Sequence, residues 1–164
     1  MRHTIAILIE NESGALSRVA GLFSARGYNI ESLNVAITDD PTLSRMTLVT
    51  RGSEQIIEQI IKQLNKLIDV VKVMDISDHA HVERELMLVK VSARDYEACD
   101  SIKRIADIFR ARIIDIATRT YTIEVTGGRS KVDAFLYAMK EHQVQEVVRS
   151  GSLGIARGNM ALRA

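Results

Sequence analysis

Thr4-Ile5-Ala6-Ile7-Leu8-Ile9 runs into Glu10-Asn11-Glu12-Ser13-Gly14, and that into Ala15-Leu16-Ser17-Arg18-Val19-Ala20-Gly21-Leu22-Phe23-Ser24-Ala25-Arg26-Gly27. The first segment alternates, with Ile5, Ile7 and Ile9 on one side and Thr4, Ala6 and Leu8 on the other. Neither side is strongly polar, which is the pattern of an inner strand. The second segment breaks the alternation. In the third, Leu16, Val19, Ala20, Leu22 and Phe23 recur at helical spacing as far as Arg26. Ser13 is placed to cap the start of this helix, and Gly27 to end it in the left-handed region.

The reading extends outward from there. Ile30 to Ile37 returns to period two. Asp39-Asp40-Pro41-Thr42, with the only proline, marks a hairpin turn, and Ser44 to Thr50 comes back with Met46 and Leu48 facing inward. A second helix is expected from about Ser53 to Leu67, striped by Ile56, Ile57, Ile60, Ile61 and Leu64, and then a strand from Val70 to Met74. The order is βαββαβ. After Ser77-Asp78-His79-Ala80-His81 it begins again. The elements are a strand at Leu86 to Val91, a helix at Ala98 to Arg110, a hairpin of Ile113 to Thr118 and Tyr121 to Thr126, a helix at Lys131 to Glu141, and a strand at Gln143 to Val148. A shift of 86 lays Ala20, Phe23, Ala25 and Arg26 on the identical residues Ala106, Phe109, Ala111 and Arg112. The expected fold is α+β: two ferredoxin-like βαββαβ domains, residues 1–76 and 83–150. A linker, 77–82, joins them, and an extended or frayed tail, 151–164, follows.

Composition narrows the function. Of 164 residues, 46% are hydrophobic and 26% charged, as in a globular protein with a packed core. Lys+Arg 22 against Asp+Glu 21 leaves a net charge of +1, which gives no electrostatic reason to bind nucleic acid or a membrane. RNA-recognition domains share the element order but need aromatic residues on central strands. Here Phe23, Phe109 and Phe135 fall on helices at core spacing. The single cysteine, Cys99, excludes an intrachain disulfide and a Cys-built zinc site, and fits a reducing compartment. Ile5 to Ile9, the longest apolar run near the start, is too short for a signal-peptide core or a membrane span. A cytoplasmic protein is expected.

No active site emerges. His79 and His81 offer two imidazoles without a fixed third ligand, so a solvated linker describes them better than a metal centre. His3 and His142 have no nucleophile tied to them by spacing, which argues against a stand-alone enzyme. Cys99, near a helix start, reads as a packed or idle thiol. Thr126-Gly127-Gly128-Arg129-Ser130-Lys131 lacks the spacing of a phosphate loop and reads as a strand-to-helix turn.

The loop from Asn11 to Gly14 admits two readings. In one, Ser13 caps the helix and Gly14 eases the turn. In the other, the unpaired N–H groups and partial positive charge of the helix start receive a ligand carboxylate. Gly14 then allows close approach, and the Asn11 amide meets either end of an amino-acid zwitterion. At the same shift of 86 the second domain has Glu97-Ala98-Cys99-Asp100, whose two negative charges would repel a carboxylate. A site of this kind therefore belongs to the first domain.

The run Glu10 to Val19 resembles the opening of an ACT domain. Adding Arg26-Gly27-Tyr28-Asn29-Ile30-Glu31-Ser32-Leu33, Thr38-Asp39-Asp40-Pro41 and Ser44-Arg45-Met46-Thr47 narrows the resemblance. It is to the small regulatory subunits of acetohydroxyacid synthase (acetolactate synthase), in their short bacterial form. His81-Val82-Glu83-Arg84-Glu85 extends it into the second domain. The resemblance implies a chain without catalysis or cofactors of its own. Such a chain binds and activates the thiamine-diphosphate-dependent large catalytic subunit and makes it sensitive to feedback inhibition by valine. It also implies a homodimer in which two ACT domains join side by side, with effector sites between the β1–α1 loop of one chain and the second strand of its partner. Residue by residue, Asn11, Gly14, Ala15 and Leu16 fall on the loop side, and Asn29, Ile30 and Ala36 on the strand side. A free-standing amino-acid sensor acting on a different partner shares the same loop.

Overall fold

A computed structural model describes residues 1–164, which divide into two units, Met1–Val82 with Ser152–Ala164, and Glu83–Gly151. In the first unit the elements are β1 (Arg2–Glu10), α1 (Ala15–Ala25), β2 (Ile30–Ile37), β3 (Leu43–Arg51), α2 (Glu54–Leu64) and β4 (Val70–Asp75). The antiparallel sheet is ordered β2-β3-β1-β4, so β1 and β3 are central and β2 is an edge. Register places Ile5 beside Leu48 and Ile7 beside Met46. These side chains, with Ile9, pack on Val19 and Phe23 of α1 and on Ile57, Ile60 and Leu64 of α2. Ile56, expected in that stripe, instead stands exposed in the first turn of α2, where its N–H is capped by Ser53.

The two ends of α1 are set differently. At its end the Gly27 N–H bonds to Ser24 O and the Tyr28 N–H to Phe23 O, with Gly27 at φ 68°. This is the 5→2, 6→1 pair of a Schellman stop, and the Phe23 and Tyr28 rings meet edge to face with centroids 6.1 Å apart. At its start the cap residue is Gly14, at φ 87°, and no side chain caps the helix; Ser13 does not take that role. The loop is held instead by Arg18, whose guanidinium binds both oxygens of the buried Asp69 carboxylate, NH2 to Oδ1 at 2.8 Å and Nε to Oδ2. Hydrogen bonding to Arg18 holds the Asp69 carboxyl below its ordinary range, and the Asp69 carbonyl accepts the Glu10 N–H at 2.8 Å.

The second unit repeats the plan with β5 (His81–Ser92), α3 (Tyr96–Ile108), β6 (Arg112–Ala117), β7 (Thr120–Gly127), α4 (Arg129–Ala138) and β8 (Val144–Arg149). A 3₁₀ turn, Met139–His142, takes the end of the expected second helix. The sheet runs β6-β7-β5-β8 over a core that includes Met87, Val89, Ile102, Ile123 and Phe135. Here α3 ends with the Ala111 N–H on Ala106 O and Arg110 at φ 53°. Arg110 thus stands where Gly27 does, and buried Ile102 stands where Val19 does, so the helices correspond at a shift of 83 rather than 86. A slip of three residues is within about 60° of a full helical turn, which let the apolar stripes match in the wrong phase.

In the segment expected as a solvated linker, Asp78, His79 and Ala80 are exposed, while its first residue is tied to β1. Ser77 Oγ accepts the Thr4 N–H at 2.7 Å, the Ile76 N–H bonds to Thr4 O, and β5 has begun by His81. The tail does not fray either. It contains β9 (Leu153–Ala156) and lies on the side of the first sheet opposite the helices. Arg2 donates to Ser152 Oγ, Asn34 Nδ2 to Ser152 O at 3.1 Å, and Arg45 NH2 to Gly154 O at 2.9 Å. Thr4, Ala6, Leu8, Thr47 and Val49, which face that side, are all buried. A Cβ on Gly154 would sit 2.4 Å from Ile76 Cδ1 and 3.3 Å from Thr4 Cγ2, so any larger residue there requires the end of the Ile76 side chain to move. No helix is long and apolar enough to cross a membrane.

Two stability outcomes follow from these contacts. Gly154→Ala forces Ile76, which is fully buried, out of place, and overpacking of this kind costs ~1–3 kcal/mol; thermal unfolding should show a lowered Tm. Asp69→Asn removes a carboxylate whose pKa is depressed in the folded state. That contribution is present above the unfolded pKa, ~3.9, and lost as pH falls through the lower folded one. In urea unfolding the variant should therefore be less stable than the parent at pH 7, with a gap that narrows at pH 3.

Candidate functional site

β1 delivers the chain to the loop at a fixed height, and the loop is then tied to the β2–β3 turn. The Asn11 N–H bonds to Thr42 O at 2.7 Å, Nδ2 donates to Pro41 O at 3.0 Å, and Oδ1 accepts from Ser44 Oγ at 3.2 Å. The turn is itself rigid, since Asp40 Oδ1 accepts both the N–H and the hydroxyl of Thr42, which holds the Asp40 carboxyl below its usual range. Asn11 therefore does not offer its whole amide to a ligand, as the sequence reading assumed. It keeps one amide hydrogen and the remaining lone-pair capacity of Oδ1.

Beyond Asn11, Gly14 is left-handed and α1 begins without a side-chain cap: the Ala15 N–H bonds to Glu12 O at 3.2 Å, the Leu16 and Ser17 amides are left uncapped by any side chain, and no acidic residue lies in the first turn. Ala15 is buried against the core and Leu16 is 44% exposed. The Arg18 guanidinium lies over Gly14; a Cβ there would be 2.9 Å from NH1. Sequence reasoning missed Arg18, although its place one helical turn after Gly14 was a usable signal. In the second domain, α3 begins quite differently. Asp95 caps the Ala98 N–H and Glu97 sits in the first turn, so a side-chain carboxylate already occupies that pole. Counted from the caps Gly14 and Asp95, the residues corresponding to Asn11 to Gly14 are Ser92, Ala93, Arg94 and Asp95, rather than Glu97 to Asp100. Gly128 leaves α4 uncapped as well, but in extended backbone at φ −67° and without a left-handed turn.

The strand-side residues do not gather at this loop within one chain. Ile30 pairs with Thr50 at one end of β2 and Ala36 with Arg45 at the other, ~20 Å apart at 3.3 Å per residue. Asn29, exposed, lies at the Ile30 end, where its carbonyl accepts the Thr50 hydroxyl at 2.6 Å. Ala36 is exposed near the loop end. β2 is an edge, and its helix-side residues Val35 and Ile37 are 38% and 61% exposed.

The other candidates resolve simply. His81 Nδ1 turns onto its own backbone at His79 O, and the pair builds no metal centre. The group with compatible spacing is instead His3, Asp75 and Asp78, in which His3 Nδ1 is already paired with Asp75 Oδ2 at 2.7 Å. His142 is not alone, since its Nε2 lies 3.0 Å from Ser101 Oγ. No carboxylate orients the imidazole, so the pair lacks the third member that nucleophilic catalysis uses. Cys99 packs at the edge of the second core against Tyr121, whose hydroxyl pKa is raised by a hydrogen bond to the thiol. Gly127 and Gly128 form a strand-to-helix turn, with Lys131 Nζ on Thr126 O.

Known proteins place this arrangement. A family model described as the AHAS small subunit-like ACT domain matches residues 5–72, and one described as the small subunit of acetolactate synthase matches residues 84–158. The chain is 54% identical over 164 residues to the acetolactate synthase isozyme 3 small subunit of Escherichia coli (strain K12), covering 99% of this chain and 100% of that one. It is 55% identical over 159 residues to the acetolactate synthase small subunit of Haemophilus influenzae, covering 96% and 97% of the two chains. The crystal structure of the acetolactate synthase small subunit from Thermotoga maritima matches with a TM-score of 0.87 at 39% identity, over 98% of this chain and 99% of that one. With both of its domains matched, the chain belongs to the family of acetolactate synthase small subunits, which are regulatory rather than catalytic.

Proposed function

We propose that this chain binds a thiamine-diphosphate-dependent acetolactate synthase catalytic subunit, raises its activity, and makes it sensitive to feedback inhibition by valine in branched-chain amino-acid biosynthesis. The observation that carries the effector half of this reading is the start of α1. No side chain caps its Leu16 and Ser17 amides behind a left-handed glycine, while the equivalent helix of the second domain is closed by Asp95. The α1 pole suits the carboxylate of a free amino acid, with Asn11 alongside to meet its ammonium group through Oδ1.

A homodimer joined through β2 explains the placement of the seven residues. A two-fold axis beside an edge strand pairs β2 antiparallel with its copy, so the Asn29–Ile30 end of one chain comes to the Ala36 end of the other. The loop residues Asn11, Gly14, Ala15 and Leu16 then face the partner's strand end, and the exposed Leu16, Val35 and Ile37 supply apolar walls at the seam. An effector held there acts on the catalytic subunit through a coupling of ~1–3 kcal/mol. It must favour one arrangement of the two chains over another, because equal affinity for both shifts nothing. One methylene in an apolar pocket is worth only ~1–3 kcal/mol, so leucine and isoleucine act as weaker effectors.

In the reconstituted holoenzyme, Gly14→Asp should abolish valine inhibition and keep activation, since a carboxylate then stands beside Arg18 where the ligand's would lie. Gly14→Ala, strained at φ 87° but uncharged, should weaken inhibition less. Asn29→Ala should weaken inhibition, and Cys99→Ala should leave it unchanged. Activity assays with and without valine decide this. Wild-type inhibition in the Gly14→Asp complex, or equal loss from Cys99→Ala, would contradict the assignment.

A further inference from the structure

On the opposite side of the first sheet from α1, a cavity of about 430 Å³ lies between Arg45, Ile76 and the tail residues Ile155, Leu162 and Arg163, with Asp39 at its wall. We infer that this cavity is a small-molecule site for a monoanionic carboxylate with a short aliphatic body. It is separate from the loop at Gly14 and does not depend on the reading of that loop.

Arg45 carries the argument. It projects from β3 on the tail side, paired across the sheet with Leu8 and Ala36, and its guanidinium is half-buried. Of its donors one NH2 contact is made, to the Gly154 carbonyl, and no carboxylate pairs with it. An arginine cannot shed its proton, so a partly desolvated guanidinium facing a cavity without a counter-ion is a standing electrostatic cost that a bound anion relieves. Arg163 adds a second positive charge to the wall and Asp39 a single negative one, and neither is ion-paired. The lining is therefore net positive on one side. Ile76, Ile155 and Leu162 make the remainder apolar. The volume falls within the range of small-molecule pockets, roughly 300–1,000 Å³, and exceeds what a bare inorganic anion fills. Forked donors beside aliphatic walls select a carboxylate with a hydrocarbon body. Such a ligand comes from two sources, aliphatic 2-amino acids and the 2-oxo acids that share their skeleton. Asp39 is placed to meet an ammonium group, which only the first source carries. Because half of the cavity is tail, occupancy also fastens residues 155–163 against the sheet.

The test uses the full chain and isovalerate, a branched carboxylate with no ammonium group, in a calorimetric titration. Saturable binding is expected. Arg45→Gln and Leu162→Trp, the second filling the cavity while leaving the Arg45–Gly154 contact in place, should each raise the Kd by ~10-fold or more. Gly14→Asp should bind isovalerate as the parent does. Competition in that Gly14→Asp background by valine identifies the amino-acid source, and competition by 3-methyl-2-oxobutanoate alone the oxo-acid source; either supports the site. Absence of saturable binding, or binding unchanged in both cavity variants, or binding lost in Gly14→Asp, would overturn it.

Discussion

β1 is enclosed on both faces, by α1 and α2 through Ile5, Ile7 and Ile9, and by the C-terminal strand over Thr4, Ala6 and Leu8. A strand so held cannot slide or tilt, because a shift of one residue would exchange its two buried faces. The loop that leaves it inherits that fixity. Glu10 is bonded to the Asp69 carbonyl, Asn11 to the turn at Pro41 and Thr42, and Arg18 to the Asp69 carboxylate. Two separate segments, the stretch at Asp69 and the turn at Pro41 and Thr42, thus hold a left-handed glycine and the start of α1 in one place. A preorganised pole of this kind binds a small zwitterion without first having to order itself.

What the enclosed centre of the sheet cannot provide is regulation, and that falls to its edge. The loop half of the proposed effector site is tied to two other segments, while the strand half belongs to an edge strand whose far end lies ~20 Å away in the same chain. In the proposed dimer, joining two chains at that edge would close both halves at once. A ligand there reads the relative position of two rigid bodies, which is the property a regulatory subunit needs. The second domain repeats the fold and lacks the pole, since Asp95 fills it. α3 has the side-chain cap that α1 lacks.

The elements were legible because period two and period 3.6 are hard to confuse in segments as apolar as Thr4 to Ile9 or Ile57 to Leu64. Gly27 announced its own left-handed turn. The resemblance in residues 10 to 50 pointed to the family that the comparisons show. Misread features were those fixed by distant partners. Ser13 has the right chemistry for a cap, but the bonds of Asn11 to a turn some thirty residues on, and of Arg18 to Asp69, place Gly14 at the cap instead. The tail looked frayed because its anchors, among them Arg2, Asn34, Arg45 and Thr47, are remote in sequence. The shift of 86 failed because helical periodicity nearly repeats after three residues.

The account's central claim is that each effector site takes its loop from one chain and its strand from another. Mixing Gly14→Asp chains with Asn29→Ala chains, allowing them to exchange, and titrating valine by calorimetry tests it directly. Either variant alone should bind little. A mixed dimer carries both lesions in one site and none in the other, so the mixture should recover tight binding at a fraction of its sites. If loop and strand served one site within a single chain, every site would carry a lesion, and a mixture binding no better than its components would contradict the account.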